Sequence, residues 1–599
     1  MKYIRLALTL CLGIAVFGFF GFFYTGHLSF HEEFQLFLYD ADYWWQRVAV
    51  PGGVCDYLAE FLTQYYFHPL GGAAILAVLL MLLQRITWWQ MRKWGTHEAY
   101  YPFSLVPALM VWAFLCSENA LLSFPLAVCS ALWVGGCYPA SSTFYKRCCF
   151  ILIALPVMYW VAGPAFFLLA GVVLLTEVQR EWNSRNRINI WAWCLGMVAW
   201  SILCPLLAGY VPSVQYSVET LFYGINYYRH PLIREELPLW ILGVTALLPF
   251  VVSKFPQGRK RMGILFTCTL LLVGGMGYKL IASHSNMLIE EALEYDRLAR
   301  FARWNEIIEK AGKTPYNSPV CATYLNLALC KQGVLTEQMF HFPQFDTQGL
   351  LMPWVTNYAT DIPYSEVYYH LGLLNTAQRF TVEIMESIPN CRKSSRCYKR
   401  LAEISLINGH YNLARKYLNA LQKTQFYKRY ADNVLSYIGN EEKINRHAEW
   451  GRLRQARPTE DFLFLPDKVD DMVGMLLKRN PNNRMAQEYM LAYKLLSRNL
   501  QGFADNFGQA TMQGIGMLPR HLQEALAFLW SQTHSSFDGN PWNLSPQVVQ
   551  QLTDFAGIFT SNRQSKAVLK SRYGNTFWYY LLCQKPLGIV STTQPRKTH

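Results

Sequence analysis

Residues 69–89 read PLGGAAILAVLLMLLQRITWW, a run of apolar residues with a single charge at Arg85. About 20 apolar residues in a helix cross the hydrocarbon core of a bilayer, which is roughly 30 Å thick. The stretch therefore predicts a membrane span, and eight further segments of the first half have a similar composition. The predicted spans are residues 4–24, 69–89, 102–117, 120–138, 148–162, 164–178, 189–209, 238–254 and 263–283.

The overall composition averages two unlike halves. The 599 residues are 52% hydrophobic and 16% charged, whereas soluble domains carry about 25% charged residues. Residues 1–283 have a net charge of +5 between long apolar runs, and residues 284–599 have +9 with ordinary soluble polarity. We therefore expect an all-α chain, with a polytopic helical membrane domain over residues 1–283 and a separate domain over residues 284–599.

The basic residues predict the orientation of the spans, because loops rich in Lys and Arg stay cytoplasmic. With nine spans and a cytoplasmic N-terminus, the inner segments hold 14 Lys and Arg, and the outer loops hold only Arg47, Arg229 and Arg234. An odd number of spans places residues 284–599 outside the cytoplasm. The expected location is the inner (cytoplasmic) membrane, with a periplasmic C-terminal domain. The charge forms no basic stripe on a recognisable nucleic-acid module, so no nucleic-acid partner is expected.

The second half shows a repeated pattern of helix pairs. Leu401-Ala402 is followed by Gly409, Tyr411, Ala414, Tyr417 and Ala420, which resembles one tetratricopeptide (TPR) unit. Weaker copies place turns at residues 302, 333 and 377, so that with residue 409 the spacings are 31, 44 and 32 residues. The long step contains a Phe/Pro-rich insertion around Phe340–Phe345, and the spacing agrees roughly with a period near 34. The resemblance implies an α-solenoid whose concave surface binds a protein or glycan acceptor. The alternative is that these helices only cap the membrane domain.

The first outer loop, residues 25–68, is the most acidic segment. It contains Glu32, Glu33, Asp40, Asp42, Asp56 and Glu60 against a single Arg47. Ser29 is expected to cap a helix with Glu32 at its third position, and Glu33 and Asp40, seven residues apart, then share one face. Pro51-Gly52-Gly53 breaks the chain before a second helix over residues 54–67. Aromatic residues of the loop are expected to rest in the membrane interface.

This arrangement resembles the GT-C superfamily of polytopic membrane glycosyltransferases, whose members place a catalytic acid on short helices after the first span. The sequence carries His31-Glu32-Glu33 and Asp40-Ala41-Asp42 there, rather than an Asp-Asp or Asp-Glu pair at the end of the span. The resemblance implies a polyprenyl-phosphate-linked sugar donor used on the outer face of the membrane. The chain also looks like an uncharacterised bacterial membrane protein family with an equivalent tail.

The chemistry implied by this resemblance assigns roles to six residues. Glu33 or Asp40 would accept the proton of the acceptor hydroxyl or hold a divalent cation such as Mg²⁺ or Mn²⁺. Arg229 and His230 would bind the donor phosphate, with Asp42 and Tyr227 as further substrate-binding residues. The alternatives are a capping role for Glu32, solvated loop acids at Glu33 and Asp40, and ion pairs within the 219–236 segment. No metal-ligand set, P-loop or nucleophile motif is present. The competing function is a non-enzymatic membrane-anchored TPR scaffold for envelope assembly or secretion.

Overall fold

The computed structural model describes residues 2–140, 143–182, 187–224, 227, 235–256, 262–351, 358–388, 393–458, 468–509, 518–561 and 566–586. Throughout these ranges the regular structure is helical, and Phe345 and Thr347 form only an isolated bridge. The all-α prediction is confirmed for this part of the chain. The protein divides into two compact units, residues 1–290 with 388–396 and 419–430, and residues 291–387 with 397–418 and 431–599.

The helices of residues 1–290 alternate between long apolar segments and short connecting ones. They are α1 (Lys2–Gly18), α2 (Thr25–Glu33), α3 (Ala41–Val48), α4 (Gly53–Thr63), α5 (Pro69–Lys93), α6 (Val106–Phe114), α7 (Ser123–Gly136), α8 (Phe144–Ala162), α9 (Phe166–Trp182), α10 (Arg187–Ala208), α11 (Val218–Tyr223), α12 (Leu237–Ser253) and α13 (Met262–His284). A π-helical turn over Phe19–Phe23 extends α1, and short 3-10 segments cover Gln64–Phe67, Glu98–Leu105 and Gly163–Ala165.

Within the described ranges, four helical stretches are long and apolar enough to cross a membrane, which indicates a membrane protein. They are Tyr3–Phe23, Pro69–Lys93, Phe144–Arg180 and Met262–His284. Shorter apolar helices cover Ser123–Gly136, Trp193–Ala208 and Leu237–Ser253. Each of the nine predicted segments contains a helix. That all nine cross the membrane stays a prediction.

Hydrogen bonds join loops that the basic-residue count places on the outer side. The backbone N–H of Gly52 donates to the carbonyl of Trp160 at 2.9 Å, and that of Leu121 donates to the carbonyl of Tyr227 at 3.1 Å. The Trp160 indole in turn donates to the carbonyl of Val48 at 2.8 Å. The loop after α1 is therefore next to the end of α8, and the loop after α6 is next to the segment at Tyr227 that follows α11.

The segments predicted to be cytoplasmic also contact each other. Arg5 forms an ion pair with Glu98 at 3.3 Å, and the hydroxyl of Tyr101 donates to the carbonyl of Arg5 at 3.0 Å. The hydroxyl of Tyr100 donates to the carbonyl of Pro256 at 2.9 Å. The contacts described above therefore join outer loops with outer loops and cytoplasmic segments with cytoplasmic segments, as the basic-residue count assigns them.

The rest of the chain consists of short helices. They are α14 (Met287–Arg300), α15 (Trp304–Lys313), α16 (Pro319–Lys331), α17 (Leu335–Gln338), α18 (Tyr358–Leu371), α19 (Leu374–Glu386), α20 (Ser395–Asn408), α21 (Tyr411–Gln422), α22 (Lys428–Leu435), α23 (Glu441–Arg446), α24 (Ala448–Ala456), α25 (Val469–Arg479), α26 (Arg484–Leu496), α27 (Leu500–Gln509), α28 (Arg520–Ser531), α29 (Pro546–Ser561), α30 (Lys566–Tyr573) and α31 (Phe577–Cys583). A 3-10 turn, Met339–His341, follows α17.

Tight turns separate successive helices near the predicted positions. Ala302, Gly333 and Gly409 lie in turns with φ of +54°, +70° and +83°. The third turn is at Gly372, with φ of +103°, and not at Ala377, which is buried within α19. Glycine adopts positive φ without a steric penalty, so the turn forms there. Membership of the TPR family stays a prediction.

Candidate functional site

The acidic first loop forms three short helices. Its α2 ends at Glu33, and residues 34–40 are not helical, so the prediction that Glu33 and Asp40 share one helical face is wrong. The cause is local: Asp40 is the N-cap of α3, where its side chain accepts from the backbone N–H of Asp42 at 3.3 Å. Such a cap starts a new helix. The predicted helix over residues 54–67 is present as α4 and the 3-10 segment after it.

The start of α2 is capped by a residue distant in sequence. Ser29, the expected cap, lies inside α2. The Glu290 carboxylate instead accepts from the backbone N–H groups of Gly26 at 2.7 Å and His27 at 2.9 Å. A carboxylate at this position satisfies unpaired helix N–H groups and interacts favourably with the helix dipole. The first loop is thereby held by the segment that follows α13.

Glu32 and Glu33 are buried against two later segments of the same unit. Glu32 is 3% exposed and Glu33 is 1% exposed. One Glu32 oxygen accepts from the hydroxyl of Tyr427 at 3.0 Å and from that of Ser395 at 3.3 Å. The other acid, Glu33, pairs with the Arg396 guanidinium at 3.0 Å. Both glutamates therefore serve as buried anchors for residues 393–396 and 419–430.

Asp40 and Asp42 are the accessible acids of the first loop. The Asp40 side chain is 26% exposed and forms an ion pair with Lys423, while Asp42 is exposed. The hydrogen bond from Lys423 lowers the pKa of Asp40 below its ordinary value, which keeps it ionised. Large aromatic side chains are exposed on either side of the two acids, with Tyr39 at 49% and Trp45 at 67%. Ionised acids among exposed aromatics suit a membrane interface.

A second carboxylate cluster, which the sequence reasoning did not single out, joins α3 to α4. Glu60 is 1% exposed, accepts from the hydroxyl of Tyr43 and pairs with Arg47 Nε at 3.1 Å. Asp56, also 1% exposed, lies on the same helix. Burial and the neighbouring Glu60 raise the pKa of Tyr43, so its hydroxyl stays a hydrogen-bond donor. In the sequence, Tyr43 and Arg47 are four residues apart, as are Asp56 and Glu60, and this spacing places each pair on one helical face. That pattern could have predicted the cluster.

His27 and His31 form a buried pair on α2. Their Nε2 atoms lie 3.0 Å apart, and His27 Nε2 is also 2.9 Å from the carbonyl of Leu115. The two side chains are 3% and 6% exposed. Their spacing of four residues, which puts both rings on one helical face, is visible in the sequence but was not used.

The structure places Tyr227 at the turn between α8 and α9. Its hydroxyl donates to the carbonyl of Ala162 and accepts from the backbone N–H of Ala165 at 2.7 Å. The residue is 3% exposed, so it supports the turn next to Gly52. Arg229 and His230, the predicted phosphate ligands, lie outside the described residues, and their roles stay predictions.

The described part of the chain contains no group of three or more His, Cys, Asp or Glu arranged to hold a metal ion. Asp40 and Asp42 offer two carboxylates, one of which already pairs with Lys423. Mg²⁺ is usually held by one or two carboxylates together with waters and substrate phosphates, so Asp40 and Asp42 are the described loop acids that could contact such an ion.

These features define a helical membrane protein with a folded acidic loop after its first apolar helix. The chain belongs to DUF6057, a family of unknown function, whose model matches residues 1–584. Neither a curated protein nor a solved structure matches the chain.

Proposed function

We propose that the protein is a GT-C-like membrane glycosyltransferase that moves a sugar or oligosaccharide from a polyprenyl-phosphate-linked donor to an acceptor on the outer face of the inner membrane. The observation that carries the proposal is the placement of Asp40 and Asp42. Both are accessible carboxylates at the start of a short helix between the first two long apolar helices. Exposed Tyr39 and Trp45 flank them, as a site for a membrane-bound donor requires.

The sorting of the loops supports the alternation of the spans in this proposal, whereas the orientation is inferred from the basic-residue count. Contacts join the first loop to Trp160 at the end of α8 and, from the Ser213 hydroxyl to the carbonyl of Ala49 at 2.7 Å, to the loop after α10, and the basic-residue count places all three on the same side. Contacts also join Arg5 with Glu98 among the segments predicted to be cytoplasmic. Alternate loops would meet in this way if nine spans crossed the bilayer with a cytoplasmic N-terminus and a periplasmic C-terminal domain.

In the proposed reaction Asp40 or Asp42 acts as the general base. The carboxylate accepts the proton of the acceptor hydroxyl while the hydroxyl oxygen attacks the anomeric carbon of the donor. The bond from that carbon to the phosphate oxygen breaks, and polyprenyl phosphate leaves with the electron pair. Glu33, buried and paired with Arg396, positions the loop and does not contact substrate.

The test uses the full-length protein in nanodiscs with polyprenyl-phosphate-linked sugars and an extract of native envelope acceptors. The release of polyprenyl phosphate is measured for the wild type and for Asp40→Asn, Asp42→Asn and the double variant. General-base catalysis contributes about 10²- to 10⁴-fold, so we expect the double variant to lose at least about 100-fold. Glu442→Gln, at an exposed acid paired with Arg446, is the matched control. Equal release by the double variant and the wild type would contradict the proposal.

The burial of Glu32 and Glu33 favours a second candidate, a membrane-anchored helical scaffold for envelope assembly or secretion. Both acids are used to hold residues 393–396 and Tyr427, as expected of a loop that anchors other segments. The two candidates separate in cells. A scaffold loses function with Arg396→Met and keeps it with Asp40→Asn and Asp42→Asn, whereas a transferase loses function with the aspartate variants while the protein level is unchanged.

A further inference from the structure

The ends of helices α5, α7 and α9 surround an open cavity in the first unit. Its volume is about 590 Å³, and Lys93 at the end of α5 and Arg180 near the end of α9 both line it. The polar side chains of Gln90, Thr176 and Gln179 complete this part of the lining. The size falls in the range of small-molecule sites, which is about 300–1,000 Å³.

A buried carboxylate fixes the basic groups around this cavity. Glu177 is 2% exposed and accepts from the hydroxyl of Tyr138, another lining residue, at 2.7 Å. Its second oxygen pairs with Arg147 and lies 3.5 Å from Arg180. Among the described side chains, Arg147 and Arg180 share this carboxylate, and the third cation, Lys93, donates to the carbonyl of Gly136 and lies 4.0 Å from the Trp89 ring. A preorganised excess of positive charge favours an anionic ligand.

Exposed aromatic side chains lie on α5 and α7, which border the cavity, and on the neighbouring α8. Trp89 on α5 is 36% exposed, Trp133 on α7 is 57% exposed and Tyr145 on α8 is 80% exposed. Exposed Trp and Tyr on apolar helices are typical of the boundary between hydrocarbon and headgroups. The basic residues Lys93 and Arg180 are therefore expected at headgroup depth, with lipid as the adjacent medium.

We propose that this cavity binds the phosphate-bearing headgroup of an anionic phospholipid. Lys93 and Arg180 contact the phosphate oxygens, and Gln179 donates a hydrogen bond to the headgroup. The Thr176 hydroxyl, which donates to the carbonyl of Val172, can only accept. Basic pockets between transmembrane helices on the cytoplasmic side bind anionic headgroups by this chemistry. The site is independent of the first loop, so it does not depend on the transferase proposal.

The test measures lipid retention by native mass spectrometry on the full-length protein. The protein is purified in detergent with equal amounts of phosphatidylglycerol and phosphatidylcholine, and the lipids bound per protein are counted. Each cation near a charged surface contributes about fivefold in affinity. Lys93→Gln with Arg180→Gln should therefore weaken phosphatidylglycerol retention roughly 25-fold. The variant Lys93→Arg with Arg180→Lys keeps both charges and should retain the lipid.

The matched control removes two basic residues outside the cavity lining, Arg85→Gln with Lys146→Gln, both exposed. This control should bind phosphatidylglycerol like the wild type. Equal retention of phosphatidylglycerol and phosphatidylcholine by the wild type would overturn the proposal, even if the Lys93 and Arg180 variant fails to fold. Displacement of the lipid by millimolar inorganic phosphate would also overturn it, because the ligand would then be a soluble phosphate.

Discussion

The ion pair between Glu33 and Arg396 provides the sharpest test of how the first loop is held. The two side chains are 2% and 11% exposed, and Arg396 Nη1 lies 3.0 Å from Glu33 Oε2. Removing one partner of a buried pair costs about 3–5 kcal/mol, because the other charge stays buried without its counter-ion. Arg396→Met keeps much of the apolar stem and removes the guanidinium. We therefore expect it to destabilise the docking of α2 by about 3 kcal/mol.

The assay is hydrogen–deuterium exchange on the full-length protein in detergent micelles, read for peptides covering residues 25–33 and 393–396. Exchange reports the free energy of local opening, which suits a chain of two units better than a single melting temperature. A loss of about 3 kcal/mol corresponds to roughly 100-fold faster exchange.

The double variant Glu33→Gln with Arg396→Met completes the cycle. Because neither charge is then left buried alone, it should cost less than the sum of the single variants. Glu309→Gln, in an exposed pair with Lys313, is the control and should leave these peptides unchanged. The reasoning is refuted if Arg396→Met changes exchange of residues 25–33 by less than about threefold.

Three further predictions concern other parts of the chain. Gly53→Ala should destabilise the first loop by more than about 2 kcal/mol in a thermal-shift measurement, because the added Cβ would lie 1.8 Å from the backbone oxygen of Arg47. The control Gly196→Ala, whose Cβ would have no atom within 4 Å, should leave the stability unchanged. Burial, with the nearby Glu383, raises the pKa of Asp361 to about 7. Because the folded chain then binds more protons than the unfolded chain between about pH 4 and 7, the stability of the wild type should fall as the pH rises through that window. An equally steep fall in Asp361→Asn would contradict this assignment. Tyr227→Phe should lower the stability by about 1–3 kcal/mol, because the hydroxyl bonds the buried carbonyl of Ala162 and the buried N–H of Ala165. The KM for the lipid-linked donor should not change. A raised KM at unchanged stability would instead make Tyr227 a substrate ligand.

The helical character of the chain could be predicted because it depends on local composition. Residues 69–89 lie within α5, and the turns at residues 302, 333 and 409 lie at the predicted positions, each with positive φ. The third turn was misplaced because Gly372 and Ala377 are both small, and only the backbone requirement for positive φ separates them.

The contacts of the first loop could not be predicted, because they join residues far apart in sequence. The partners of Glu32 and Glu33 are Ser395, Arg396 and Tyr427, more than 360 residues away. The cap of α2 comes from Glu290 in the same way. A single sequence identifies an acidic loop, but it does not show which acids are buried and which, like Asp42, reach solvent.

The most direct test of the account is the side of the membrane on which the first loop lies. Asp42→Cys and Lys146→Cys, each at an exposed position, are labelled in intact cells with a membrane-impermeant maleimide, and the wild type supplies the background of native cysteines. The account predicts that the cysteine at position 42 is labelled in intact cells and the one at position 146 only after permeabilisation. Labelling of position 146 in intact cells, with position 42 protected, would contradict it.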